Sequence, residues 1–282
     1  GKCVKTISGY SNWIKSIAFV PQRDWLASCH RDGAIRLWSW QNLTCIHILS
    51  GHTDAVQTIA VSPDGRYLAS SSLDRTLRIW DLQELTCLQT MLQRRGYFDY
   101  DQHQSANDTQ VEGSCALVFS PDSCKLITGN YQAELQIWDI ATGKLDRTLL
   151  GHSKRIQAVA LCNVSHLIAT ACENRIRIWD LDPGECLHAI IAHDLPVLTV
   201  AFSPDGRYLA SGSMDKTVKI WDTRSWECLQ TLTGHQSLTL TVAFSPTPIE
   251  SESSTDYQLI VGSGDRLIKR WNIITISITL PM

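Results

Sequence analysis

Two stretches of this 282-residue sequence carry histidine, serine and aspartate at matched intervals. His52, Ser70 and Asp74 form one set, His193, Ser211 and Asp215 the other, and each leads to a tryptophan, Trp80 or Trp221. These are the residue types of a hydrolase triad, in which histidine takes the serine proton and a carboxylate orients the imidazole. A hydrolase using a Ser-His-Asp set is therefore kept as an alternative reading. Against it, a nucleophile is unique in its chain and sits on a strained turn beside an oxyanion hole, whereas this set occurs twice and no G-x-S-x-G elbow is present. The expectation is a chain without catalytic residues.

Other chemistry is equally sparse. No phosphate loop of the form G-x-x-x-x-G-K-[ST] occurs. Of ten cysteines, Cys3, Cys45, Cys87, Cys186 and Cys228 fall at one recurring register, and there is neither a C-x-x-C nor a Cys/His grouping at zinc spacing. No metal and no cofactor are expected. Cysteines of this kind are expected to pack as small apolar side chains. Their number without a disulfide framework points to a reducing, cytoplasmic setting. Three N-x-S/T matches, at Asn42, Asn107 and Asn163, are too weak a pattern to overturn that.

The elements that must position these residues repeat. Trp38, Trp80, Trp138, Trp179, Trp221 and Trp271 close six near-copies of one motif, at successive spacings of 42, 58, 41, 42 and 50 residues. The base period is about 42, in the range of stacked supersecondary units. Ser62–Ser70 and Ser203–Ser211 both read SPDGRYLAS. Within the second copy, Val56–Ser62, Tyr67–Ser72, Thr76–Trp80 and Leu85–Met91 read as four short strands parted by Pro-Asp-Gly and other turns. One four-stranded sheet cannot hide both faces from water, but sheets stacked face to face can.

Gly51-His52 and Gly151-His152, each with Trp-Asp 27 or 28 residues after the histidine, together with Gly234-His235, resemble the WD-repeat family. The resemblance implies an all-β fold, a β-propeller of six four-stranded blades or a truncated seven-bladed ring. It implies a single domain over 1–282, with repeats near 9–50, 51–92, 110–150, 151–191, 192–233 and 234–280 and insertions at 93–110 and 247–256. In that family each repeat gives the outer strand of one blade and three inner strands of the next. Gly1–Ile7 then reads as an outer strand of an upstream blade, and the sequence as a piece of a longer protein. Cys3–Ile7 is expected to compete with Ile273–Leu280 for the edge of blade six, closing a six-bladed ring.

The family also uses His, Ser, Asp and Trp as a structural tetrad of hydrogen bonds. His52, Ser70, Asp74 and Trp80, and His193, Ser211, Asp215 and Trp221, match it in full. Repeat one has Tyr10 at the histidine position but keeps Ser28, Asp32 and Trp38. Repeat three has Gln110 and Gln132 at the outer positions. Repeat four keeps His152, Thr170 and Trp179, with Glu173 or Asn174 near the aspartate position, and repeat six has Val261 for serine. Stability is expected to vary between blades, with the third softest.

Composition is ordinary for a globular chain, at 44% hydrophobic and 19% charged. A net charge of −3 argues against a nucleic-acid partner. No apolar run approaches the roughly 18–20 residues that span a bilayer. Tryptophans outside the motif align with packing positions: Trp25 with Tyr67 and Tyr208, Trp40 with Leu82 and Leu181, Trp226 with Leu43 and Leu85.

Trp13 is different, because it falls three residues after the histidine position. In the family that position, the one two residues on, and the residue before the tetrad aspartate line the top of the channel. These are Trp13, Lys15 and Arg31 in blade one, Pro196, Leu198 and Met214 in blade five, and Leu238, Leu240 and Gly264 in blade six. Blades two to four offer mostly small or polar residues there, with Tyr131 and Arg155 as exceptions. An apolar rim over blades five, six and one, bordered by cations, suits a peptide with hydrophobic anchors and an acidic flank. The loop Gln93–Gln110, with Tyr97, Phe98 and Tyr100, is a second candidate contact, while Thr247–Asp256 reads as a solvated turn. The expected function is a protein- or peptide-binding scaffold, the sensor or regulatory region of a larger signalling protein. GKCVKTI and WECLQTLTGH are similar to arrays at the C-termini of bacterial signalling NTPases and some kinases, so an NTPase or kinase module in the same chain is expected.

Overall fold

Period-2 runs of Val, Ile, Leu and Trp cut every few residues by Pro, Gly, Asp or Asn favour hairpins over helices. In the computed structural model, which describes residues 13–93, 114–245, 249–251 and 254–273, the regular elements are all strands. Sheet one is an antiparallel meander of β1 (Ile14–Val20), β2 (Trp25–His30), β3 (Ile35–Ser39) and β4 (Cys45–Leu49). Sheet two repeats it with β5 (Val56–Val61), β6 (Tyr67–Ser72), β7 (Thr76–Asp81) and β8 (Thr86–Leu92). Sheet three has β9 (Ser114–Phe119), β10 (Lys125–Asn130), β11 (Leu135–Asp139) and β12 (Leu145–Leu149). Sheet four has β13 (Ala158–Leu161), β14 (Leu167–Cys172), β15 (Arg175–Asp180) and β16 (Cys186–Ile191). Sheet five has β17 (Val197–Phe202), β18 (Tyr208–Ser213), β19 (Val218–Asp222) and β20 (Cys228–Leu232). In sheet six, β21 (Thr239–Phe244) pairs with β23 (Ser254–Ser263), which pairs with both β22 (Ile249–Ser251) and β24 (Ile268–Ile273).

The turn before each fourth strand needs one residue at positive φ. Leu43, Leu85 and Trp226 accept it at φ of 55°, 56° and 58°, and Gly143 and Gly184 supply it in sheets three and four without a Cβ penalty. Beyond that turn a bulge sets each motif tryptophan opposite the start of the outer strand. Trp38 faces Cys45, Trp80 faces Cys87, Trp179 faces Cys186 and Trp221 faces Cys228. The recurring cysteine is thus a register position. Its expected apolar packing holds only in part, since Cys45 and Cys87 are half-buried but Cys186 and Cys228 are exposed. Each thiol instead donates to the carbonyl two residues on, as Cys87 does to Gln89 at 3.4 Å.

Contacts divide the chain into two compact units, Gly1–Arg155 and Ile156–Met282. In the first, β1 packs on β5 and β5 on β9; in the second, β13 packs on β17 and β17 on β21. The cores lie between successive sheets. Ile35, Leu37 and Leu49 of sheet one meet Val56, Ile59 and Leu68 of sheet two, and Ile176 and Ile178 of sheet four meet Val197, Val200 and Leu209 of sheet five. Burying each such side chain contributes roughly 1.5–3 kcal/mol before entropy is counted.

Sheet one departs from this on its other face. Ile17 is 59% exposed where its counterpart Ile59 is 6%, and Trp40 is 52% exposed where Leu82 is 0%. The expected burial of Trp40 is therefore corrected: its ring stacks edge-on against the exposed Phe19 at 5.0 Å. Part of the insertion 247–256 is strand where a solvated turn is expected. Ile249, Glu250 and Ser251 pair with Asp256, Thr255 and Ser254 as a hairpin extending sheet six. Gly1–Ile7, positions 94–110 of the other insertion and 274–280 lie outside the described residues; Ile273 ends β24.

Candidate functional site

The two complete Ser-His-Asp sets form closed hydrogen-bond chains inside their sheets. Trp80 Nε1–H donates to Ser70 Oγ at 2.8 Å, Ser70 Oγ lies 2.7 Å from His52 Nε2, and His52 Nδ1 lies 2.8 Å from Asp74 Oδ2. In sheet five the same three distances are 2.9, 2.8 and 2.8 Å, through Trp221, Ser211, His193 and Asp215. Indole only donates and carboxylate only accepts, so the chain has one direction: the serine hydroxyl donates to Nε2 and the imidazole Nδ1–H to aspartate. Ser70 and Ser211 are both fully buried. A fully buried serine oxygen that accepts an indole N–H inside a sheet is out of reach of a substrate carbonyl.

Burial by itself would push the Asp74 carboxyl up, but hydrogen bonds from His52, Thr76 and the Thr53 amide outweigh it and hold it well below the usual carboxylate range. Asp215 and Asp265 are lowered by the same contest between burial and inward donors. Burial pushes the His193 imidazole below its ordinary value against the opposing pull of Asp215. A neutral ring over a carboxylate is the state the hydrogen-bond direction requires.

The incomplete sets differ by sheet. In sheet one Trp38 donates to Ser28 Oγ at 2.7 Å, and the imidazole on that oxygen belongs to His30, at 2.8 Å. Asp32 pairs with Arg36 at 2.7 Å. Alignment of repeats passes over His30, yet residues two apart share a strand face, and that spacing was the available signal. Sheet three keeps Trp138 on Thr128 at 3.2 Å, and its turn is closed by Asn130, which accepts the amides of Gln132 and Glu134 at 2.9 Å each. Sheet four keeps Trp179 on Thr170 at 2.8 Å, with Glu173 at positive φ of 52° in the shortened turn. In sheet six His235 meets Asp265 at 2.8 Å, but its buried Nε2 has no partner among the described residues, because Val261 stands where serine would.

At the tetrad end of the sheets, the residues singled out as a rim are held by a shared backbone device. Arg31 N–H donates to Trp13 O at 3.2 Å, Leu73 to Ala55 at 3.0 Å, Met214 to Pro196 at 2.9 Å and Gly264 to Leu238 at 2.9 Å. Between these contacts the pairing skips one residue, so Lys15, Gln57, Leu198 and Leu240 each occupy a bulge. Bulges re-aim side chains and recur beside binding sites.

In the first unit Trp13, Lys15 and Arg31 of sheet one and Ala55, Gln57 and Leu73 of sheet two line one concavity of about 280 Å³. Trp13 is 68% exposed, with Lys15 Nζ 5.7 Å and Arg31 Cζ 5.9 Å from its ring centroid. Also in this unit, the Arg155 guanidinium lies over the Tyr131 ring at 5.6 Å. In the second unit Met214 and Leu240 are exposed, while Pro196, Leu198 and Leu238 are half-buried. Among the described residues no cluster of His, Cys, Asp and Glu could hold a metal, and no helix is long and apolar enough to cross a membrane.

The WD domain, G-beta repeat family matches residues 1–39, 43–81, 143–180, 184–222 and 226–272. The unmatched stretch between 81 and 143 holds the longer insertion and the third repeat, whose tetrad has lost its outer members. Among relatives, a guanine nucleotide-binding protein subunit beta from Zea mays is 26% identical over 224 residues, covering 76% of this chain and 57% of the relative. Pre-mRNA-processing factor 19 homolog 2 from Arabidopsis thaliana is 29% identical over 112 residues, 40% of this chain and 21% of the relative. WD repeat and SOCS box-containing protein 1 from Homo sapiens is 32% identical over 101 residues, 35% of this chain and 24% of the relative. The chain thus spans between a fifth and three-fifths of the length of these curated relatives.

Proposed function

Because the chain belongs to the WD-repeat family of β-propeller proteins, we propose that it is a non-catalytic scaffold that binds a protein or peptide at the rim end of its sheets. The observation that carries this is the rim itself. Bulges at Lys15, Gln57, Leu198 and Leu240 present side chains where a tetrad alone would need none. Trp13, Lys15 and Arg31 in the first unit, and Pro196, Leu198, Met214, Leu238 and Leu240 in the second, are the residues assigned to contact, together with Tyr131 and Arg155 of the first unit. Exposed Trp, Met and Arg are over-represented at binding hot spots. The chain is further assigned to a larger signalling protein with an NTPase or kinase module, on the wording of GKCVKTI and WECLQTLTGH. A reducing cytoplasmic location is the reading we attach to the free thiols of Cys29, Cys45, Cys87, Cys124, Cys162, Cys172, Cys186 and Cys228.

The hydrolase alternative is disfavoured by the burial of Ser70 and Ser211. The test is site-specific photo-crosslinking in the source cell, with the crosslinker at Gln57 or Leu240 and, as controls, at Cys186 or Cys228 on the outer strands. Rim positions are expected to capture a common protein that the outer positions do not. Equal capture from rim and edge, or labelling of Ser70 or Ser211 by a serine-reactive phosphonate, would overturn the reading.

A further inference from the structure

We propose that the concavity between sheets one and two receives an acidic side chain, flanked by an apolar one, from an extended segment of a protein partner. The inference rests on the interaction reading above and specifies its chemistry. Its first ground is charge. Arg36, Arg66 and Lys125 of the first unit are met by Asp32, Asp81 and Asp146 at 2.7, 3.5 and 3.3 Å. Lys15 and Arg31 have no acidic partner among the described residues. The concavity thus holds two cations without an acidic partner among the described residues, in a chain whose net charge is −3.

The second ground is placement. Both cations lie within 6 Å of one indole centroid, at 5.7 and 5.9 Å, and the ring faces leave their N–H groups able to turn toward an anion. The main chain at Arg31 is held by its N–H hydrogen bond to Trp13 O, and at Lys15 by the bulge, so the backbone needs no reordering on binding. A guanidinium and an ammonium around a carboxylate make charge-assisted hydrogen bonds, about twice as strong as neutral ones.

The third ground is the remaining lining. The Trp13 ring, Leu73 and the buried Ala55 give an apolar wall beside the cations, and Gln57 offers an amide that can both donate to and accept from a peptide backbone. The volume of about 280 Å³ lies below the roughly 300–1,000 Å³ of sites that enclose small molecules. It suits one or two side chains of a passing strand. Two cations are also too few for a nucleic-acid backbone, whose binding scales with the number of phosphates neutralised.

The experiment uses the 282-residue chain and fluorescein-labelled, end-capped peptides that alternate leucine with glutamate, glutamine or lysine, read by anisotropy at low and high salt. The glutamate peptide is expected to bind about tenfold or more tightly than the glutamine peptide, with salt reducing the difference. The double variant Lys15→Glu, Arg31→Glu should reverse the preference toward the lysine peptide, and Trp13→Ala should weaken the glutamate peptide about tenfold while thermal melts stay unchanged. Equal binding of glutamate and glutamine peptides, lost together in Trp13→Ala, would overturn the acidic specificity and leave the interaction surface standing. A glutamate preference that survives the double charge reversal would move the site elsewhere and overturn the proposal. Failure of every peptide to bind would overturn it as well, and the rim crosslinks would then decide the broader reading separately.

Discussion

His30 Nε2 lies 2.8 Å from Ser28 Oγ, so sheet one draws its imidazole from the strand that carries the serine rather than from the preceding loop. At the equivalent position sheets two, five and six carry Ser72, Ser213 and Ser263, whose hydroxyls staple the following turn, as Ser72 does through Asp54 O at 2.9 Å and the Asp74 amide at 3.1 Å. Sheet one has exchanged that staple for the histidine. His30→Ala should leave Ser28 with only the Trp38 contact and cost about 1–3 kcal/mol, the desolvation penalty of a buried group that loses its partner. Equilibrium denaturation in urea checks it. A variant as stable as the parent would show that Ser28 needs only its indole.

The tetrads predict an uneven map of stability. Asp74 accepts from His52, the Thr53 amide, the Thr76 amide and the Thr76 hydroxyl, within 2.7–3.0 Å. Asp74→Ala should therefore cost about 1.5–3 kcal/mol. Gln132 stands at the same place in sheet three, where Asn130 and Glu134 have taken over the turn. Gln132→Ala should cost well under ~1 kcal/mol. Equal losses in the two denaturant curves would sink the assignment.

Much of this was legible in the sequence because polar types recur at fixed intervals. The strand limits around Trp80 follow from alternation, which leaves each residue one face to occupy. The rim positions from Trp13 to Leu240 come instead from the family resemblance, because Lys15 and Leu240 sit at bulges that alternation does not foretell. What alignment could not supply was the neighbour. Trp40 lines up with Leu82, whose position reads as buried, yet burial depends on neighbours that alignment does not show, and Ile17 and Phe19 are exposed along with Trp40. His30 escaped notice because no other repeat has histidine there. The hairpin of β22 and the start of β23 hides behind TPIESESSTD, where polar residues suggest coil although Ile249 and Thr255 can join a ladder.

Acid should unfold the chain in two stages, both with the same sign. His193 is depressed in the folded state, so its contribution is complete above the unfolded value of about 6.5 and declines as pH falls below it. Asp74, Asp215 and Asp265 are also depressed, so their contribution is complete above about 3.9 and is lost as pH drops through their lower folded values. Urea midpoints measured between about pH 8 and about pH 3 should fall gently below about 6.5 and steeply below about 4. Asp74→Asn should flatten part of the steep limb. A midpoint that rose on acidification would contradict the neutral-imidazole, ionised-aspartate state assigned to the tetrads.

Sheet six offers the converse test, in which an interaction is added. His235 is oriented by Asp265 at 2.8 Å, and the Gln236 amide shares the same oxygen at 2.9 Å, so its Nε2 is fixed without an acceptor or donor opposite it. Val261 fills the place of Ser70 and Ser211 and is fully buried. Val261→Ser would give Nε2 a hydroxyl while removing apolar volume, and the two effects are of similar size. Relief of a buried unsatisfied group is worth about 1–3 kcal/mol, and loss of the two buried methyls costs roughly 1.6 kcal/mol, at about 0.8 kcal/mol per carbon. The comparison that isolates the hydrogen bond is therefore Val261→Ala, which removes volume without adding a partner. Val261→Ser should be more stable than Val261→Ala by about 1 kcal/mol or more, and the advantage should disappear when His235→Ala is present in both backgrounds. If the serine advantage persists without His235, it comes from some other contact, and the vacancy at Nε2 is not what sets the stability of sheet six.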